Sequence, residues 1–373
     1  MRYEEFREFR RRQLADGSTL LDAAETNVYR ALAPLRPEPP TKTRTVHRCD
    51  LARAWLRRFE LPEEWSGHAM VCRGVRHGLD VVFRWLHSVQ ARLWLPGDVY
   101  PVYFELARAA GLAPSSYPTL PSPVLPSPDL PGSRGDGRPE SPADDRPEYL
   151  LLANPSKPLG RYLSDAEVTA VLAWLREAPQ RRLLIDSVYE LGTPFAAGTR
   201  RLLDTGRAVL LHSVTKGWLW PRTFGVALLG PGRTEPAGLP DLSELAEPAQ
   251  LAALSEAFRA EPPSQDQLRL ADRLLAEHAD LPRQVADALD ARAERLFGRL
   301  PDDVLDAIPA ASRSCPGNYF FPVDIPAEEL RREYGVLAVP ATAFGESSGD
   351  GHWSGAVLTS LADAFAPAPA VIR

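Results

Sequence analysis

Short apolar runs alternate with amphipathic stretches along the middle of the chain. Runs that end in Gly, Pro, Asp or Ser are typical of buried strands. The stretches between them carry apolar residues three and four positions apart, which favours helices that cover one face of a sheet. The predicted strands are HAMVCRG (68–74), RLWLPG (92–97), YLLLANP (149–155), RLLIDS (182–187), AVLLHSV (208–214) and FGVALLG (224–230). This alternation predicts an α/β fold with a mainly parallel, doubly wound sheet.

The same pattern predicts the helices and a change of architecture towards the C-terminus. Helices are expected in the basic N-terminal segment and at 77–91, about 103–110, 164–178, roughly 242–260 and 265–298. The helix at 164–178 begins with a capping box, with Ser164 as cap and Glu167 three residues later. Further strands are predicted near 319–325, 335–340 and 356–362. Residues 114–147 hold 10 of the 37 prolines, which indicates a long surface excursion with little regular structure.

Composition places the chain among ordinary soluble globular proteins. Of 373 residues, 44% are hydrophobic and 25% are charged, and the net charge of −6 argues against a nucleic-acid-binding surface. No apolar run is long enough to span a membrane, and the charged start MRYEEFREFRRRQ is unlike a secretory leader. Three scattered cysteines are too few for a disulfide framework or a zinc cluster. We therefore expect a cytoplasmic protein that holds no metal ion.

Lysine is rare in this chain, so each lysine is a candidate functional residue. Of the 43 basic residues only Lys42, Lys157 and Lys216 are lysines, and the other 40 are arginines. Arginine cannot supply a neutral, nucleophilic amine. Lys216 follows a predicted buried strand, where a lysine has no structural reason to lie, so it is the strongest candidate nucleophile.

Four segments carry the remaining candidate residues. They are NPSKPLG (154–160), IDSVYE (185–190), HSVTKGWLWPRTFG (212–225) and GVLAVPATAFG (335–345). Asn154 and Asp186 are 32 residues apart, and Asp186 and Lys216 are 30 apart. In this order and spacing the segments resemble the motifs of fold-type I pyridoxal phosphate (PLP) enzymes of the class I/II aminotransferase family. The resemblance covers most of the chain from about residue 68.

The resemblance implies an architecture, a cofactor and an assembly. We expect the fold-type I architecture, with a large PLP-binding domain at 46–265 that includes the proline-rich excursion. A small αβ domain would be formed by 266–373 together with the N-terminal arm 1–45. Relatives place the active site at a dimer interface, so a homodimer is expected. The expected substrate is a small-molecule amine or amino acid, with neither nucleic acid nor membrane as a partner.

The resemblance also assigns roles around the cofactor ring. Lys216 would form the internal aldimine with PLP and afterwards move protons on the substrate. Asp186, at the end of a predicted buried strand, would pair with the pyridinium nitrogen and keep the ring an electron sink. Tyr189 matches the tyrosine that donates to the phenolic oxygen of PLP. Tyr100, in DVYPVY, matches the aromatic residue that stacks on the ring.

The phosphate of PLP would be held by a loop before a helix and by cationic and hydroxyl partners. The matching residues are Gly74, Val75 and Arg76 in CRGVRHG (72–78), Ser213 in the segment before the lysine, and Arg222. Relatives usually carry the phosphate-binding arginine eight residues after the lysine. Arg222 lies six after it, so either the loop is shorter or another group serves.

Two departures from the family pattern point to unusual chemistry. Where relatives carry the second asparagine of N-P-x-N-P-T-G, which contacts the phenolic oxygen, this chain carries Lys157. A cation there would alter the protonation of the aldimine, or Lys157 would serve as a second base. It could also simply face solvent. Asn154, which opens the motif, is a candidate substrate contact.

The second departure concerns the arginine that clamps a substrate carboxylate in relatives. It should fall in AVLTSLA (356–362), where the alignment places Leu358, and no arginine lies between Arg332 and Arg373. The clamp is therefore missing or supplied elsewhere. His352 and Trp353, just upstream, are candidate substitutes.

Three functions are consistent with these residues. The first is a PLP enzyme of specialised, natural-product metabolism that acts at the amine-bearing carbon of an unusual amino acid or amino-acid conjugate. It would work through an external aldimine and a quinonoid, with elimination or decarboxylation as the outcome. The second is an ordinary class I/II aminotransferase that uses another arginine. The third, a catalytically inactive scaffold or PLP-binding regulator, is disfavoured because Asp186, Tyr189 and Lys216 are all present.

Overall fold

The structure, a computed structural model, describes residues 3–16, 20–39, 45–99, 101–120, 122–126, 146–230, 248–345 and 353–366. The helices are α1 (Tyr3–Ala15), α2 (Val28–Ala31), α3 (Arg48–Arg58), α4 (Val75–Ser88), α5 (Val102–Ala109), α6 (Asp165–Glu177), α7 (Ala197–Leu203), α8 (Val214–Gly217), α9 (Pro248–Ala260), α10 (Gln265–Glu277), α11 (Leu281–Phe297), α12 (Asp302–Asp306), α13 (Ala310–Arg313) and α14 (Ala327–Glu333). The strands are β1 (Leu21–Asp22), β2 (Ala69–Cys72), β3 (Arg92–Pro96), β4 (Ser115–Tyr117), β5 (Glu148–Ala153), β6 (Arg181–Asp186), β7 (Ala208–Ser213), β8 (Gly225–Leu229), β9 (Phe320–Val323), β10 (Val336–Leu337), β11 (Val339–Pro340) and β12 (Ala356–Thr359).

The central element is a seven-stranded sheet with the order β2-β8-β7-β6-β5-β3-β4. Six strands share one direction, and β8 runs antiparallel to both of its neighbours. The prediction of an α/β fold with a mainly parallel sheet is therefore confirmed. The connection from β7 to β8, residues 214–224, contains only the four-residue helix α8, whereas a parallel neighbour is usually reached through a long helical crossover.

Helices cover both faces of this sheet because its strands are apolar on both sides. Along β5, Leu150 and Leu152 join one core cluster, whereas Tyr149 and Leu151 join the other. The first cluster includes residues of α3, α6, α7 and α10, and the second includes residues of α4, α5 and α9. A strand that is buried on both faces has apolar residues at successive positions, and the sequence of β5 shows this pattern.

A smaller αβ layer joins the two ends of the chain. β1 pairs in parallel with β10, and β12 lies between β11 and β9 in a three-stranded antiparallel sheet. Their apolar side chains pack with α11 and α14 in a third core cluster that contains the fully buried Leu358. Among the described residues, none of the helices is long and apolar enough to cross a lipid bilayer.

Several predicted elements differ from those observed. The single helix expected at 265–298 is two helices, α10 and α11, because α10 ends before His278 and Pro282 occupies the first turn of α11. Proline fits that position because a first-turn N–H has no partner inside the helix. The strand expected at 335–340 is divided between β10 and β11, which pair in different sheets. The capping box of α6 is present, with Ser164 and Glu167 bonded in both directions.

The proline-rich excursion is partly regular, which corrects the prediction for its first residues. Ser115–Tyr117 forms β4, which extends the central sheet by pairing in parallel with β3. Tyr117 is buried and its hydroxyl donates to the carbonyl of Leu151 at 2.6 Å. Residues 127–145 of the excursion lie outside the described residues, as do 242–247 of the helix predicted at 242–260.

Candidate active site

A cavity of about 870 Å³ opens at the carboxyl ends of the parallel strands of the large sheet. This edge is where ligands bind in open α/β sheets, because the loops and helix N-termini converge there. Eight of the residues singled out in the sequence line the cavity: Gly74, Val75, Arg76, Lys157, Asp186, Tyr189, Lys216 and Arg222. Tyr100 and His352 lie outside the described residues.

Asp186 is the last residue of β6, and its carboxylate is buried beside the cavity. The hydroxyl of Tyr103 donates to Oδ2 at 2.7 Å, and the N–H of Val188 donates to Oδ1 at 3.0 Å. Burial raises the pKa of Asp186 to about 6, although both hydrogen bonds and the nearby Lys216 act to lower it. Burial penalises the charged form, so this carboxylate would gain from a cationic partner in the cavity.

Lys216 lies in α8, the short helix that links β7 to the antiparallel β8. Its Nζ is 4.8 Å from the ring centroid of Tyr29 and 5.1 Å from that of Tyr189. Burial by itself lowers the pKa of Lys216, but the phenol groups of Tyr189 and Tyr29 outweigh it and the pKa is raised. The chain thus places its amine between two tyrosines, within the same cavity as Asp186.

Ser213, directly before α8, is buried and is not among the residues that line the cavity. Its backbone is extended at the end of β7, and its hydroxyl accepts from the N–H of Thr215 at 3.3 Å as the cap of α8. Thr215, two residues beyond it, is a lining residue. The signal for Thr215 was present in the same HSVTKG segment, two residues beyond Ser213.

Lys157 brings a second amine to the cavity, from the loop between β5 and α6. Its Nζ donates a hydrogen bond to Oδ1 of Asn318. Three aromatic rings surround it, with centroids at 5.3 Å (Tyr189), 5.2 Å (Tyr319) and 5.6 Å (Phe320). Burial lowers the pKa of Lys157 to about 8, opposed by Cys315 and reinforced by Lys216. Lys157 and Lys216 therefore both lie over the ring of Tyr189.

The part of the cavity lining at the start of α4 has the features of an anion site. α4 begins after Gly74, whose φ of +100° favours glycine, and the helix has no side-chain cap on its first turn. First-turn N–H groups and the helix dipole favour a negatively charged ligand at this position. Arg76 and Arg222 line the same region, and within the described chain neither forms an ion pair. Gln267 donates to the carbonyl of Arg222 at 2.6 Å and so fixes its loop.

Three other sequence candidates lie away from the cavity lining. Asn154 is buried, with its amide donating to Thr199 Oγ1 at 3.0 Å and accepting from the N–H of Leu163 at 2.9 Å. The indole N–H of Trp353 donates to Asp324 at 3.0 Å. Leu358 packs in the third core cluster and does not line the cavity.

No motif singles out several residues that contact the candidates directly, among them Tyr29, Tyr103, Asn318, Tyr319 and Phe320. Tyr103 belongs to the DVYPVY segment, but nothing in the spacing connects it with Asp186, 83 residues away. Asn318 is 161 residues from Lys157. Such contacts depend on how distant segments pack.

Comparison with known proteins gives one family and one fold. The sequence pattern of the family described as "Aminotransferase class I and II" matches residues 36–359. The fold is similar to that of an aminotransferase from Staphylococcus aureus, at 15% identity and a TM-score of 0.60 over 92% of this chain and 90% of that one. A probable N-succinyldiaminopimelate aminotransferase from Thermus thermophilus matches at 19% identity and 0.60, over 97% and 96%. Tyrosine aminotransferase from Leishmania infantum matches at 16% and 0.61, over 93% and 90%. No curated protein matches the chain.

Proposed function

The chain belongs to the class I and II aminotransferase family, and from this premise we propose that it acts, with PLP, at the amine-bearing carbon of an unusual amino acid or amino-acid conjugate. Members of this family use PLP as cofactor. Bound PLP draws electrons away from the carbon that carries the substrate amine, so that a bond at that carbon breaks more easily. The protein then has to hold the cofactor and to direct which bond reacts.

The residues in the cavity fit this cofactor. Lys216 offers the amine for its aldehyde, and the buried carboxylate of Asp186 suits a protonated ring nitrogen. Tyr189 can donate to the phenolic oxygen. The uncapped first turn of α4, with Arg76 and Arg222, provides donors and positive charge for the phosphate.

The chain's own groups would then direct the reaction. Lys216 is the group to take a proton from the amine-bearing carbon, and its proximity to Tyr29 and Tyr189 holds its Nζ in the cavity. The apolar and aromatic wall formed by Tyr29, Val99 and Phe344 would exclude water from the reacting atoms.

We favour an elimination or decarboxylation in specialised metabolism over routine transamination. The observation that carries this proposal is the pair of amines over one ring, with Lys157 Nζ at 5.3 Å and Lys216 Nζ at 5.1 Å from the centroid of Tyr189. A routine exchange of amino groups needs one mobile lysine, whereas an elimination needs both a proton acceptor and a proton donor. The burial of Leu358 at the expected clamp position supports the same conclusion.

The alternative is an ordinary aminotransferase that binds the substrate carboxylate through another arginine. Arg76 and Arg222 favour it, since both line the cavity and form no ion pair among the described residues. In this alternative, one of them would bind the phosphate and the other the substrate carboxylate.

Single-turnover reactions of the PLP-loaded protein with a panel of amino acids and conjugates separate the two functions. The proposed function predicts release of a small product, such as carbon dioxide or a β-substituent, while the cofactor keeps its aldehyde form. Stoichiometric conversion of the cofactor to its amine form, with a keto acid as the product, would establish the aminotransferase instead.

We also propose that the enzyme is a homodimer, on the resemblance to its family alone. Light scattering at micromolar concentration tests this assembly. A monomer that retains full activity would contradict it.

A further inference from the structure

Asn318, between α13 and β9, is held by its own backbone surroundings in one orientation. Its Nδ2 donates to the carbonyls of Ser312 at 3.0 Å and Phe320 at 2.7 Å, and its Oδ1 accepts from the N–H of Phe320 at 3.0 Å. A flipped amide would set donors against the N–H of Phe320 and oxygen against two carbonyls. The side chain is 2% exposed, so water cannot readily compensate for a flip. Oδ1 therefore faces Lys157.

Lys157 Nζ donates a hydrogen bond to this oxygen, and its other neighbours here are aromatic rings. Within the part of the chain that the structure describes, it has no ion-pair partner. The titratable groups that influence it are Lys216 from α8 and Cys315 after α13, together with the phenols of Tyr189 and Tyr319 in its ring cage. A neutral carbonyl and ring faces support an ammonium less well than a carboxylate does.

We propose that Asn318 is a positioning residue that holds Lys157 Nζ in the cavity as a proton donor to the group leaving the substrate. This role rests on the proposed function. In the elimination, Lys216 takes the proton from the amine-bearing carbon, and the electrons of that C–H bond form the new double bond. The bond to the leaving group breaks and its electrons depart with that group. An N–H bond of Lys157 breaks, its electrons stay on nitrogen, and the proton passes to the leaving group.

Burial lowers the pKa of Lys157 to about 8, which suits this task. At neutral pH the ammonium is still the major form, and yet it gives up its proton more readily than an ordinary lysine. The rings of Tyr189 and Tyr319 keep the amine beside the reacting atoms, and Asn318 limits where the amine can move.

The first test measures the amine itself, without substrate. The PLP-loaded protein is labelled with trace acetic anhydride across a pH range, and the Lys157 peptide is quantified by mass spectrometry. The wild-type midpoint is expected below the ordinary lysine value, because Lys157 is buried. Asn318→Asp places a carboxylate oxygen against Lys157, with the loss of the two hydrogen bonds that Nδ2 donates to Ser312 and Phe320, and in the folded variant it should raise the midpoint by about one to three pH units. Asn318→Ala removes the acceptor and should lower it.

Gln284→Glu is the matched control, because it adds one negative charge on an exposed position of α11 and should leave the midpoint unchanged. A wild-type midpoint at an ordinary lysine value of about 10.4 would overturn the proposal without any variant. So would a folded Asn318→Asp protein with the wild-type midpoint.

The second test is the pH profile of the single-turnover reaction. In Asn318→Asp, the pH at which activity falls on the alkaline side of the profile should rise by the same interval as the labelling midpoint. In Lys157→Gln, this alkaline fall in activity should be absent. A labelling shift with no matching shift of the alkaline fall in activity would overturn the proton-donor role. If the product analysis shows transamination alone, the proposed function fails, and the labelling series still decides whether Asn318 positions Lys157.

Discussion

Replacing Tyr103 by phenylalanine removes one hydroxyl from the cavity and leaves the aromatic ring in place. In the structure that hydroxyl donates to Oδ2 of Asp186 at 2.7 Å. Only 8% of Tyr103 and 5% of Asp186 is exposed, so bulk water cannot fully replace the lost donor. The substitution therefore acts on the charge state of the carboxylate that faces the cofactor site.

The size of the effect depends on whether Asp186 is ionised. A hydrogen bond to a charged group contributes about 1.5–3 kcal/mol, against about 0.5–1.5 kcal/mol between neutral groups. The difference of roughly 1–1.5 kcal/mol corresponds to a rise of about one unit in the pKa of Asp186. Burial already raises that pKa to about 6, so the carboxyl of the variant should titrate near 7.

The sign of the pH dependence follows from the raised pKa. The folded protein binds the proton of Asp186 more tightly than the unfolded chain does. The protonated carboxyl therefore contributes its full stabilisation below the ordinary pKa of 3.8, and this stabilisation is lost as the pH rises through about 6. In Tyr103→Phe the loss continues to about pH 7. The free energy of unfolding of the variant should therefore be lower than that of wild type by about 0.5–1.5 kcal/mol at pH 5 and by about 1.5–3 kcal/mol at pH 8.

Urea unfolding of the cofactor-free protein at these two pH values measures the difference. Tyr117→Phe is the control, since Tyr117 is also buried and its hydroxyl donates to a neutral carbonyl, that of Leu151, at 2.6 Å. Its loss of stability should be the same at both pH values. Equal losses at the two pH values in Tyr103→Phe would show that the Tyr103 hydroxyl does not favour the charged form of Asp186.

Four further substitutions test other parts of the structure. Lys216→Ala should leave no peptide carrying cofactor after borohydride reduction with PLP, and a modified Lys157 peptide would contradict the assignment. Gly160→Ala should lower the free energy of unfolding, measured with urea, by more than about 1–3 kcal/mol. The reason is that φ is +72° and the new Cβ would lie 2.0 Å from the carbonyl oxygen of Phe320. Gly335→Ala, with φ of +65° and open space, should cost only about 1 kcal/mol. Leu358→Arg should destabilise by about 3–5 kcal/mol by burying an unpaired charge, and tighter binding of amino acids by this variant would contradict the placement of Leu358.

The central sheet could be predicted from the sequence because its signal is local. Runs such as YLLLA are apolar at every position only if both faces are covered, and this condition predicts a parallel sheet between two layers of helices. The direction of β8 was less evident, since it depends on the length of one connection. The division of 335–340 into β10 and β11 depends on two different partner strands, which the local pattern does not specify.

The order of residues along the chain indicated which of them could carry the chemistry. Asp186 ends β6, Tyr189 lies just after it, and Lys216 follows the neighbouring parallel strand β7, so all three are expected at one edge of the sheet. What surrounds these residues depends on how distant segments pack. Tyr103 meets Asp186 across 83 residues, and Asn318 meets Lys157 across 161. Periodicity and spacing describe each segment separately, whereas the pKa of a buried group depends on whatever distant side chains packing brings against it.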